Sequence, residues 1–161
     1  MKIEITDWDE EEEKFFKDRV KTMEVETYDT YELRSNLAEI NYAALVKYKE
    51  DSLDPDLFGG HPSEFESQDE WIKILDKMIW AFDQIRKDDW EEDYYSGESD
   101  YLYVPVDSDG NDVDEEDAVC FRLEHGPNHT FKVDEDGIRE HQRLIQEGLD
   151  LYAKYFMNLW R

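Results

Sequence analysis

The chain has 161 residues, 44 of them acidic against 18 Lys and Arg, which leaves a formal net charge of −26. Nucleic acid phosphates and anionic lipid headgroups repel such a protein, and direct DNA or RNA binding is the class most firmly excluded. High charge often means disorder, but five Trp, ten Tyr and eight Phe bring large buriable rings, and a single folded acidic domain over 1–161 is expected.

In chain order, Lys2 and Glu4 alternate with Ile3 and Ile5, the pattern of a short edge strand. Thr6 or Asp7 then caps a helix expected to reach about Met23. Asp7, Asp9, Glu10, Glu11, Glu12 and Glu13 crowd its start, and Lys14, Lys17, Arg19 and Lys21 follow, an order that suits the helix dipole. A second helix is expected over about Thr30–Lys49, with Leu33, Leu37, Ile40, Ala44 and Tyr48 as its stripe and Ala38 and Leu45 widening it. Asp51–Pro62 reads as a loop around Asp54-Pro55 and Gly59-Gly60.

A third helix starts near Gln68. Trp71, Leu75, Met78, Phe82 and Ile85 keep a strict four-three spacing, which predicts the most buried helix of the chain. Tyr101–Val106 and Ala118–Leu123 read as two strands of a hairpin, the first at an edge because Pro105 donates no ladder bond. Thr130–Val133 is a candidate third strand. A last helix is expected from Glu135 to Trp160, with Gly148 inside it as a site of close helix packing. The fold class is α+β: three to four helices with a small antiparallel sheet.

The motifs divide into acidic clusters and scattered titratable groups. Asp107–Asp117 has acids or Asn at the first, third and fifth positions of a calcium loop. It has Asp112 where the turn needs Gly and Ala118 where the bidentate Glu belongs, so a hairpin loop turning at Asp109-Gly110-Asn111 is favoured. Asp88, Asp89, Glu91, Glu92 and Asp93 surround Trp90, with Tyr94 and Tyr95 next; rings among carboxylates suit the binding of a basic partner, while core packing is the favoured single explanation for Trp90. His125 and His129 flank Gly126-Pro127, which forbids a helical metal pair. Cys120 lies in an alternating apolar run and reads as a buried, inert thiol. No nucleophile pair, phosphate loop or closed metal site is present, so no catalytic residue, cofactor or metal is expected. Without an apolar leader or an 18-residue apolar run, a soluble protein of a reducing compartment is expected.

Trp71–Ile85, then 88–100, 126–137 and 143–161 together resemble a family of small, uncharacterised tailed-phage proteins, and 28–40 resembles it more loosely. The resemblance covers about two thirds of the chain. It implies a place in the cytoplasm of an infected host and, by analogy, a role against host enzymes or defence systems. The acidic stretches 7–13 and 107–117 look like elaborations on it.

The leading expectation is a non-enzymatic inhibitor that imitates DNA. At one charge per ~1.7 Å of duplex, 26 charges match roughly 44 Å of DNA, about the diameter of a globule of this size. Carboxylates would stand in for phosphates and dock on a basic, nucleic-acid-binding host protein. The residues expected at that surface are Asp7–Glu13, Asp88–Asp93, and Asp107, Asp109, Asp112, Asp114, Glu115, Glu116 and Asp117, with Trp8, Trp90 and Tyr94 as apolar anchors. The alternative is a nucleotide-binding protein using Arg143 and Lys154 with stacking from Trp80, Trp90 or Tyr155. Against it stands the expectation that Arg143 and Lys154 pair with acids of the third helix. A self-associating phage structural or assembly component is the third reading.

Overall fold

The computed structural model describes residues 2–5, 21–54 and 60–159, with side chains from Glu24 onward. The protein is α+β, with three α-helices and short antiparallel strand pairs among the described residues. The chain divides into two compact units, residues 1–88 with 143–161 and residues 89–142.

The first unit is helical. Strand β1 (Lys2–Ile5) pairs antiparallel with β2 (Lys21–Glu24). The expected edge strand is therefore present, but the chain is already extended at Lys21, so the predicted helix does not run to Met23. Helix α1 (Leu33–Ser52) and helix α2 (Gln68–Lys87) run antiparallel, tied by Lys49–Asp76 (2.5 Å) and Arg86–Glu39 (3.3 Å). The α2 N-terminus is capped by Ser67, whose hydroxyl accepts the Glu70 N–H, with Asp69 and Glu70 in the first turn and Arg86 and Lys87 in the last.

The core is centred on α2, as its spacing predicts. Trp71, Leu75, Met78, Ala81 and Phe82 are buried, and burial of each large apolar side chain contributes about 1.5–3 kcal/mol. In α1 part of the expected stripe is buried: its widening residues Ala38 and Leu45, with Tyr48 packed partly buried against the core. Leu33, Leu37 and Ala44 of the same expected stripe are exposed, since one residue turns a helix by about 100° and the buried side follows Ala38 and Leu45.

Helix α3 (Glu135–Tyr155) contributes Tyr155 to this core and ends in a 3-10 turn, Phe156–Asn158, short of the predicted Trp160. Gly148 of α3 lies against α2. A Cβ there would meet the Ala81 Cβ at 2.4 Å and the Lys77 carbonyl oxygen at 2.6 Å, so the close packing expected of Gly148 is present.

The second unit holds a run of antiparallel strand pairs, an arm of two strands, together with the start of α3. Strand β4 (Tyr101–Val106) pairs with β5 (Cys120–His125), and β3 (Tyr95–Ser96) pairs with β6 (Lys132–Val133). Thr130 N–H to the Glu98 carbonyl and Gly126 N–H to the Asp100 carbonyl (both 2.9 Å) link the two ladders. Within the expected third strand, Lys132–Val133 form β6, which continues the arm by pairing with β3 after a detour at Gly126–Thr130. Cys120 is exposed, contrary to the expectation of burial, because a two-stranded ribbon covers neither face completely. No helix among the described residues is long and apolar enough to cross a membrane.

Candidate functional site

The first acidic cluster of the second unit stands on a 3-10 turn, Trp90–Tyr94. Aromatic contacts fix that turn to the start of α3. The Trp90 indole stacks on His141 with 4.3 Å between centroids, and the Tyr94 ring meets the same imidazole edge-on. The Tyr94 hydroxyl lies 2.9 Å from His141 Nδ1, a hydrogen bond. With both rings turned onto α3, Asp89, Glu91, Glu92 and Asp93 are left exposed. Burial pushes the imidazole below its ordinary titration range, and the weaker pull of Asp93 works against that. Asp88 is used differently. It caps α2 in the left-handed conformation (φ 58°), belongs to the helical unit and pairs with Arg34.

The second cluster is the loop between β4 and β5. The Asp107 carboxylate accepts the backbone N–H groups of Asp109 and Asn111, each at 2.9 Å, and the Asn111 side-chain amide at 3.1 Å. Gly110, at φ 86°, supplies the left-handed residue this turn needs. The turn therefore falls at Asp109–Asn111, as the hairpin reading expects. These hydrogen bonds, the Asn111 backbone N–H foremost, hold the Asp107 carboxyl below the usual carboxylate range. The residue at calcium-loop position one thus has its oxygens committed to its own turn. Among the described residues, no group of three or more His, Cys, Asp or Glu is placed to hold a metal ion.

Asp112 pairs with Arg122 at 2.6 Å, and the same guanidinium holds Glu124 and the Gly110 carbonyl. Beyond it, Glu115–Asp117 form one 3-10 turn. Asp109, Asp114, Glu115, Glu116 and Asp117 are exposed and make no ion pair with Lys or Arg among the described residues.

Charge is divided unequally between the units. Residues 89–142 hold 18 acids against Arg122, Lys132 and Arg139, a net −15 in about a third of the chain. In the helical unit, by contrast, Glu39, Asp51, Glu64, Asp76, Asp83, Asp88 and Glu147 all meet Lys or Arg. The expected contributions of Asp7, Trp8, Asp9 and Glu10–Glu13 lie outside the described residues.

In the helical unit, Trp80 and the two bases of the alternative ligand site line two grooves that share Glu147. Half-buried Trp80 lines a groove of ≈ 390 Å³ with Asp76, Lys77, Leu144 and Glu147. Arg143 and Lys154 line a second groove with Gln146, Glu147, Asp150 and Leu151. Tyr155 is only 4% exposed, its ring enclosed by Phe65 and Trp71, so its faces do not offer stacking. Trp90 lies in the other unit with one face against His141. Both bases pair with acids outside α2. Arg143 meets Glu147 of its own helix at 3.3 Å, and Lys154 meets Glu64, ahead of α2, at 3.1 Å. The Tyr155 hydroxyl and then Lys154 hold the Glu64 carboxyl below its usual range.

Lys77 and His141 were missed by sequence reasoning. For His141 a signal existed, since Ile138, His141, Ile145, Gly148, Tyr152 and Tyr155 recur at intervals of three and four along the inward face of α3. Comparison with family models, curated proteins and solved structures found no match to the chain.

Proposed function

We propose that the chain is a non-enzymatic binding protein whose second unit docks, through its acidic surface, on a basic surface of another protein. One observation carries this reading: 18 acids face three bases in residues 89–142, and the acids of both 3-10 turns are exposed without a Lys or Arg partner among the described residues. Unpaired surface carboxylates cost little in water and leave a field that a basic partner neutralises. The fitting partner is a host protein whose basic groove normally holds nucleic acid, with carboxylates occupying the phosphate positions. The resemblance to small tailed-phage proteins supports placing that encounter in an infected bacterium, with inhibition as the outcome.

The test is capture from bacterial lysate at two salt concentrations, followed by competition with duplex DNA. Association that weakens steeply with salt and is displaced by DNA is expected. Binding unchanged from low to high salt overturns the reading.

A second reading is favoured by the Trp80 groove, whose ≈ 390 Å³ falls within the range of small-ligand pockets. Lys77 would meet an anionic group there and Trp80 a flat ring. A thermal-shift screen against nucleotides separates the two readings: a stabilisation abolished by Trp80→Ala supports the groove, and no shift with any nucleotide removes it.

A further inference from the structure

The second unit also presents an aromatic face that the acidic clusters do not use. Across β4 and β5, Tyr101 stands opposite His125, Tyr103 opposite Leu123, and Pro105 opposite Phe121. Side chains alternate along a strand, so these residues share one face of the ribbon. Tyr103 is 72% exposed, and Phe121 and Leu123 are each 53% exposed. Two strands alone are marginal in water, and a contiguous exposed apolar row marks a surface that meets another chain.

The two edges of this ribbon differ. On the β4 side Pro105 has no N–H, its carbonyl accepts the Val113 N–H at 3.0 Å, and Val106 bridges to Asp112. The chain's own loop closes that edge at its Pro105–Val106 end, so it offers a shorter free stretch than β5. On the β5 side no described element pairs with Cys120–His125, and all six residues are exposed. The bond from Gly126 N–H to the Asp100 carbonyl continues the ladder and sets its alternation. Arg122 and Glu124 turn their backbone groups toward β4, so Phe121, Leu123 and His125 aim theirs outward. An open edge without proline is a template for a further strand.

We propose that the β5 edge is a strand-addition site for an extended, basic segment of the partner protein. Alternate apolar residues of that segment would pack beside Phe121 and Leu123, and its flanking Lys or Arg would meet Glu115–Asp117 just ahead of β5. Main-chain hydrogen bonds supply the affinity and the alternating side chains the register. Charge decides the occupant. A second copy of this chain would bring the same 18 acids against three bases and be repelled, whereas a basic segment is attracted. The proposal rests on the basic-partner reading above.

The probe is a synthetic peptide of alternating Thr and Val with two Lys at each end, titrated at low salt into the isotope-labelled full chain. The amides of Phe121, Leu123 and His125 should gain about tenfold or more in hydrogen-exchange protection, and N-methylation of alternate peptide residues should abolish the gain. The double variant Phe121→Thr, Leu123→Thr keeps strand propensity and should weaken peptide binding about tenfold. Equal binding of a peptide with Glu in place of Lys overturns the basic occupant. Protection of the β5 amides that rises with protein concentration alone assigns the edge to a second copy and overturns the proposal. Oligolysine is the control. If it binds in a salt-dependent way while the alternating peptide protects no β5 amide, the edge site fails and the basic-partner reading stands. If neither probe binds, both fail.

Discussion

The imidazole of His141 lies flat against the indole of Trp90, with ring planes only 12° apart, and bonds through Nδ1 to the hydroxyl of Tyr94. One half-buried histidine therefore holds both anchors of the Trp90–Tyr94 turn, and with them the positions of Glu91, Glu92 and Asp93. The order of the acidic surface is coupled to the charge on that ring.

Stability should accordingly depend on pH through His141. Burial depresses its folded-state titration, so the folded protein resists a proton that the unfolded chain accepts below about 6.5. The neutral stacked ring is fully tolerated above that value, and stability is lost as pH falls from there through the depressed folded value. Carboxylates titrate in the same direction of pH change, so the comparison must cancel them. His141→Phe should be less stable than the parent at pH 8, because Tyr94 loses its partner, and the gap in melting temperature should narrow by pH 5.5. A gap that stays constant would remove His141 as the titrating group.

Gly148→Ala should destabilise the helical unit. Alanine favours a helix interior by about 1 kcal/mol, but the new methyl would stand 2.4 Å from the Ala81 Cβ and 2.6 Å from the Lys77 carbonyl oxygen. Overpacking of this kind costs about 1–3 kcal/mol, so destabilisation wins. Adding Ala81→Gly removes one of the two clashes and should restore part of the loss, measurable as a favourable coupling of about 0.5 kcal/mol or more in urea unfolding. Additive effects would mean that the helices move apart instead.

The α2 core was legible because Trp71, Leu75, Met78 and Phe82 are all large and apolar on a single stripe. The inward face of α3 was harder to read. Two of its members, His141 and Gly148, are not apolar, so a count of apolar residues alone does not trace that face. In α1 two competing stripes carry similar apolar content, and packing on α2 selects the one with the small residue, Ala38. The β arm was legible as strands, but the link between its two ladders depends on Asp100, whose carboxylate accepts the Asn128 N–H at 2.9 Å. No local pattern announces that pairing. The acidic clusters were visible as composition, and only the fold shows which acids have partners: Asp88 has Arg34 and Asp112 has Arg122, whereas Glu115–Asp117 have neither.

Trp71 should tolerate phenylalanine far better than alanine. Its side chain is fully buried against Phe65 and Tyr155, yet its indole N–H has no hydrogen-bond partner among the described residues. Trp71→Ala opens a large cavity and should cost about 3–5 kcal/mol. Trp71→Phe also loses volume but removes a buried unsatisfied donor, whose burial costs about 1–3 kcal/mol. The two effects oppose, so a net change within about 1.5 kcal/mol is expected in chemical denaturation. A loss as large as that of the alanine variant would show that the indole N–H is satisfied in solution.

Asp107 should govern the order of the acidic loop without governing the fold. Its carboxylate gathers the N–H groups of Asp109 and Asn111, and the turn they close returns the chain to bridge Val106. Asp107→Ala removes every one of these acceptors, so exchange at the Asp109, Gly110 and Asn111 amides should accelerate while the amides of α2 keep their protection. Asp107→Asn retains one side-chain oxygen in the same position and should preserve most of the turn. The pH dependence has a definite sign. The folded-state carboxyl is held below its ordinary range, so the turn's stabilisation is complete above about pH 4 and is lost as pH falls through that depressed value. In the Asn variant the acid-side loss should disappear, because nothing at position 107 titrates. Loop exchange rates that follow pH identically in the parent and in Asp107→Asn would place the titrating group elsewhere among the loop's exposed acids.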